Sequence, residues 1–165
     1  MVQSKNQALE IYLKELKMSS ILEFYGPQAL HAEDNSWPYP RYLLSLVEKE
    51  CSRRRERKVG RNRSVSKLPT TKTSANLKLS LFSPKIRKIY SELIQGQFIS
   101  RCENILAFGL PGVGKSHFLA AIGHELVTAG YRVYFSPAYT LVEALLIAKK
   151  ELSFEKLLKR LDGVV

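Results

Sequence analysis

Apolar residues recur at helical spacing through the first third of the chain. Leu9, Tyr12, Leu13 and Leu16 share one side of a 3.6-residue period and predict an amphipathic helix that stops near Ser19-Ser20. A short second helix is expected from Ile21, and Gly26-Pro27 should bend or end it, because proline lacks the N–H and crowds the preceding turn. Residues 33–38 read as a loop. A third helix then carries Tyr39, Leu43, Leu44, Val47 and Cys51 along one face and runs into an arginine-rich stretch, with Gly60 expected to end it. Residues 64–80 are rich in Ser and Thr, with Pro69 among them, and read as a polar linker. Ser83-Pro84 is a helix start, Ser as N-cap and Pro at the first helical position. Ile86, Ile89, Tyr90, Leu93 and Ile94 give that helix a stripe to bury.

From Asn104 the period changes. Ile105-Leu106-Ala107-Phe108 is a short continuous apolar run, the pattern of a strand covered on both faces. A helix is expected from about Gly114 to Ala129, with Phe118, Leu119, Ile122, Leu126 and Val127 apolar and Gly130 as its stop. Tyr131 to Phe135 reads as a second strand, Tyr139 to Lys150 as a helix, and Ser153 as the cap of a further helix ending near Leu161. This alternation predicts an α/β fold: an incomplete parallel sheet of the P-loop NTPase, AAA+-like kind. It would occupy residues 81–165, after a small all-helical domain at 1–63 and the linker at 64–80.

Composition fits a soluble globular protein, with 45% hydrophobic and 25% charged residues in 165. No apolar run approaches the roughly 18 residues of a membrane span, and the N-terminus lacks the pattern of a secretory signal. Cys51 and Cys102 have no His or Cys at metal-ligand spacing, nor do His31 and His124. A reduced, cytoplasmic setting is expected.

Charge adds a partner. Between Arg41 and Lys88, 15 Lys and Arg face three Glu, a net of +12 in a chain whose total is +11. A field concentrated in this way suits a polyanion, and nucleic acid is the commonest one. Arg53, Arg54, Arg55, Arg57, Lys58, Arg61 and Arg63 are the candidate contacts to DNA phosphates. Nothing in the run predicts base reading, so backbone contact without sequence preference is expected. The competing reading is a solvated helix end, where cations favour the dipole in any case.

The clearest chemistry lies at Gly109-Leu110-Pro111-Gly112-Val113-Gly114-Lys115-Ser116, which fits G-x-x-x-x-G-K-[ST] between an apolar run and a helix. Its glycines let the backbone close around phosphates with N–H groups inward, and the helix presents its N-terminus to the anion. Lys115 would reach the β- and γ-phosphates of ATP, and the Ser116 hydroxyl would ligate Mg²⁺. A P-loop ATPase also needs an acidic residue at the tip of a neighbouring strand. Gly163-Val164-Val165 looks like the opening of that strand, and Asp162 precedes it, so no catalytic residue is assigned and a truncated, non-hydrolysing form is expected. Glu143 and Glu151 read as surface charges, His117 as a helix-surface histidine, and Trp37 and Tyr39 as packing residues.

The stretch from Glu103-Asn104 through the P-loop and His117 to Gly130-Tyr131-Arg132-Val133 resembles the IstB-like transposition helper ATPases of bacterial insertion sequences. So does the front half, a helical domain ending in an arginine-rich helix and a linker into Leu81-Phe82-Ser83. The DnaC-type helicase loaders are the close relatives. The resemblance implies an AAA+ fold and ATP-dependent homo-oligomers on DNA that assist a transposase, with ATP held by Gly109 to Ser116. A helicase-loading ATPase, or a nucleic-acid-binding remnant without a working nucleotide site, are the alternatives.

Overall fold

The computed structural model describes residues 2–165, with side chains described from residue 7 onward. All the regular elements among these residues are helical: α1 (Val2–Glu15), α2 (Ser19–Asp34), α3 (Tyr39–Val65), α4 (Pro84–Leu93), α5 (Gln97–Ser100), α6 (Lys115–Thr128), α7 (Ala138–Lys150) and α8 (Phe154–Leu161), with a 3₁₀ turn at Leu79–Leu81. The chain divides into two compact units, Met1–Arg57 and Lys58–Val165.

The first unit buries Leu13, Ala32 and Leu46. Two polar residues are buried with them. Glu50 accepts a hydrogen bond from the Ser20 backbone N–H at 2.8 Å and another from Arg54 Nε at 2.7 Å. It thereby satisfies a free donor in the first turn of α2, where Met18 offers no side-chain cap. Two sequence expectations fail here. Helix α2 runs through Pro27 without ending. Pro27 and Glu23 are both exposed residues, on the side of the helix where a lost backbone hydrogen bond costs least. Helix α3 likewise runs through Gly60 to Val65. Gly60 is not in the left-handed conformation that terminates helices, and the Ser64 hydroxyl donates to its carbonyl at 3.0 Å.

The second unit is built around α6. Ala120, Ala121, Ile122, Leu126 and Val127 are buried together with Leu68, Leu77, Tyr90, Phe98 and Val133. Leu68 comes so close to α6 that a Cβ on Gly123 would meet its Cδ2 at 2.8 Å, so the absence of a side chain there permits the contact. As expected, Ser83 caps α4, its hydroxyl accepting from the Ile86 N–H at 3.4 Å, with Pro84 in the first turn. The end of α6 is a Schellman turn: Tyr131 N–H donates to Leu126 at 3.0 Å and Gly130 N–H to Val127 at 3.0 Å, with Gly130 left-handed. Ser153 precedes α8 as expected, but its hydroxyl points back to the Ala148 carbonyl and caps nothing.

The expected α/β fold with a parallel sheet is not what the structure shows: among the described residues there is no strand. Both predicted strands lie in segments without regular structure or a ladder. No backbone hydrogen bond joins 104–108 to another described segment, and Leu106 and Phe108 are 77% and 87% exposed. Residues 131–135 do better, though only locally. Val165 donates to Arg132 at 2.8 Å and accepts from Tyr134 at 2.9 Å, while Phe135 donates to Ser66 at 2.7 Å. A single residue bonded to two alternate neighbours is not a ladder. A strand exists only through its neighbour, and these apolar runs have no paired neighbour along their length.

Candidate nucleotide-binding site

Residues 109–114 form the turn that opens α6. Gly112 and Gly114 have φ of 82° and 90°, and Gly114 is the N-cap of the helix. A left-handed N-cap without a side chain leaves the first N–H groups of α6 with no side-chain acceptor, which is the arrangement that receives an anion. Ser116 lies in that first turn with its residue exposed, its hydroxyl open to a metal ion. Lys115 instead folds back over the loop: Nζ donates to the Gly109 carbonyl at 2.9 Å and to the Leu110 carbonyl at 2.8 Å. Both acceptors belong to the same loop, so the ammonium is held over it.

Beside the loop lies a cavity of about 740 Å³. Phe82, Ile86, Ile89, Leu93 and Phe118 supply apolar walls, and Gly112 to Lys115 line its polar side. Phe82 lies close to the loop, 3.8 Å from where a Cβ on Gly114 would be, and packs on Phe118 with ring centroids 5.6 Å apart. Apolar walls against a polar corner are the usual composition of a small-molecule site. No Asp or Glu lines the cavity. Asp162 caps the end of α8, and Glu143 and Glu151 are exposed.

Sequence reasoning missed how residues 66–77 attach to this site. His117 Nε2 lies 3.0 Å from the Thr73 carbonyl and His124 Nε2 lies 3.0 Å from the Pro69 carbonyl. Because a carbonyl only accepts, both rings carry a proton on Nε2. Ser74 donates to Glu125. The first and third turns of α6 thus hold a segment that Leu68 and Leu77 anchor in the core. Those two leucines were the available signal within an otherwise polar stretch.

The arginine-rich candidates separate into two kinds. Within the first unit, Arg53 pairs with Glu23, Arg54 binds Glu50 and the Lys17 carbonyl, and Arg57 Nη2 donates to Ser19 Oγ at 3.0 Å. Arg55 is exposed and has no side-chain hydrogen bond or ion pair among the described residues, and the same holds in the second unit for Lys58, Arg61 and Arg63. Trp37 packs edge-on against His31 at 5.0 Å under the Arg41 guanidinium, as a packing residue should, whereas Tyr39 is 90% exposed. No described helix is long and apolar enough to cross a membrane.

Comparison with known proteins meets this geometry. A protein of Sinorhizobium fredii named as an insertion-sequence ATP-binding protein is 33% identical over 156 residues, covering 93% of this chain and 52% of its own length. One of Pseudomonas aeruginosa, named for an ATP-binding protein of insertion sequence IS21, is 35% identical over 158 residues, covering 93% of this chain and 58% of its own length. One of Geobacillus stearothermophilus, named likewise for IS5376, is 32% identical over 148 residues, covering 90% and 59%. The chain spans about half the length of these curated relatives. The family model of the IstB-like ATP binding proteins matches residues 11–164, and the chain belongs to that family.

Proposed function

We propose that this chain binds ATP with Mg²⁺ at Gly109 to Ser116 and serves as a helper of DNA transposition for an insertion sequence. The observation that carries the reading is the P-loop at the open N-terminus of α6, with Lys115 held over it. The backbone N–H groups of 112–116 would take the phosphate oxygens, Lys115 would exchange its two carbonyls for the β- and γ-phosphates, and Ser116 would offer its hydroxyl to the metal. Mg²⁺, when bound, neutralises phosphate charge there. Phe82 and Phe118 supply apolar surface for the rest of the nucleotide. With no carboxylate side chain in the cavity wall, the chain by itself is expected to hold the triphosphate without steady turnover.

The partner side of the reading is DNA, held through its backbone by exposed cations of α3, together with a transposase and further copies of the protein. The concentrated positive charge supports the first, and the relatives' insertion-sequence names support the second. Thermal unfolding with Mg²⁺ and ATP tests the nucleotide part. A ligand at a hundred times its Kd stabilises by about 2.7 kcal/mol, a shift of several degrees for a unit of this size. A melting temperature indifferent to ATP over that range rejects the reading.

A further inference from the structure

A second cationic site lies in the second unit, apart from the P-loop. A hollow of about 310 Å³ is lined by Lys67, Arg132, Arg160, Tyr134 and Ser64, and it shares no lining residue with the nucleotide cavity. Its three cations come from three places: Lys67 follows α3, Arg132 lies in the segment after α6, and Arg160 lies in the last turn of α8. None of them is in an ion pair among the described residues, and no carboxylate side chain lines the hollow.

One of the cations reaches a hydroxyl in the wall. Lys67 Nζ donates to Tyr134 Oη at 3.4 Å and stands 5.3 Å from the centre of that ring. The Tyr134 hydroxyl is held below the ordinary tyrosine value, first by this hydrogen bond, then against burial by the charges of Lys67 and Arg160. A solvated cationic stripe lies along one helix; here like charges distant in sequence line one concavity, a local positive field suited to an anion.

The geometry points to a phosphate site: Lys67, Arg132 and Arg160 receive a phosphodiester of a nucleic-acid backbone in this hollow. The choice of nucleic acid as the source of the phosphate rests on the DNA reading above. It is supported by continuity, because Arg61 and Arg63 are exposed on the last turns of α3, immediately before Ser64 and Val65 in the wall. A lysine and two arginines around one oxygen cluster hold a phosphate by charge and forked donors, with no base in reach to read.

The test is duplex binding by the full chain across a salt series, for unrelated sequences. Lys67→Gln with Arg160→Gln removes two charges and leaves an amide that can still reach Tyr134. The log–log salt slope is expected to fall by about 1.8, roughly 0.9 per lost contact. If this double variant melts well below the wild type, Arg160→Gln alone, at an exposed position, is expected to lower the slope by about 0.9. Arg61→Gln with Arg63→Gln is the comparison. Duplex binding weakened by that pair but untouched by the hollow variants overturns the site and leaves the DNA reading standing. No duplex binding by the wild type at low salt removes both. Tripolyphosphate, titrated in a Lys115→Ala background, separates the sources: saturable binding lost in the hollow variants while duplex binding persists would make this a site for free polyphosphate and overturn the assignment.

Discussion

His117 Nε2 lies 3.0 Å from the carbonyl oxygen of Thr73, which ties the helix that opens at the P-loop to a segment 44 residues earlier. The residue after Ser116 is thus a fastener for residues 66–77, together with His124 on Pro69 two turns further along α6.

This contact sets an expectation for stability. His117→Ala removes the donor and leaves the Thr73 carbonyl part-buried without a partner, so the second unit should lose about 1 kcal/mol. His117→Gln keeps an amide N–H of similar reach and should recover much of that. Urea unfolding of the three proteins measures it. Equal stabilities for wild type and Ala would show that the hydrogen bond contributes nothing.

The arginines should divide by what they already hold. Arg53, Arg54 and Arg57 are engaged within the first unit, so replacing them with Ala should lower its melting temperature, chiefly through Arg54, whose partner Glu50 would be left buried with an unpaired charge. Replacing Arg55, Lys58, Arg61 and Arg63 should leave the melting temperature alone and lower duplex affinity about equally for unrelated sequences. Differential scanning fluorimetry and a salt series on two duplexes read the two effects. The opposite assignment of the two sets would contradict the geometry.

Glu50 makes the first unit acid-sensitive. Burial raises its pKa, but the hydrogen bonds from Arg54 and from the Ser20 N–H outweigh it, and the carboxyl is held below its ordinary value of 4.5. A group with a lowered folded pKa stabilises fully above its unfolded value, and that stability is lost as pH falls through the folded one. Stability should therefore decline below about pH 4.5. Glu50→Gln should be less stable near neutral pH and should flatten this decline, as unfolding at a series of pH values would show. An unchanged acid slope in the variant would assign the decline to other carboxylates.

How much of this was legible depended on whether an element is made locally or by a neighbour. The P-loop turn, the Ser83 cap, the Gly130 stop and the faces of α6 are specified by residues within a few positions of one another, and each formed where the sequence put it. Pro27 and Gly60 misled because a helix breaker acts only if its lost hydrogen bond or its left-handed conformation matters there. Pro27 lies on an exposed side, and Gly60 keeps helical geometry. Ile105 to Phe108 and Tyr131 to Phe135 misled for the opposite reason. Their apolar runs are suited to strands, but a ladder needs a partner along its length, which local residues cannot reveal. The charge run was visible as a whole; which arginines were already bonded was not, since Glu23 and Ser19 lie 30 and 38 residues away from their partners.

Gly109 to Ser116 are proposed to bind the phosphates of ATP through Lys115 and the N-terminus of α6. Titration of a fluorescent ATP analogue with Mg²⁺ into the folded wild type and Lys115→Ala tests it most directly. Loss of a charge-assisted contact worth about 1.5–3 kcal/mol should weaken binding roughly 10- to 100-fold. Circular dichroism of the variant should be unchanged, because Lys115 Nζ holds only two carbonyls of its own loop. Equal affinities for the two folded proteins would contradict the account and remove the P-loop from it.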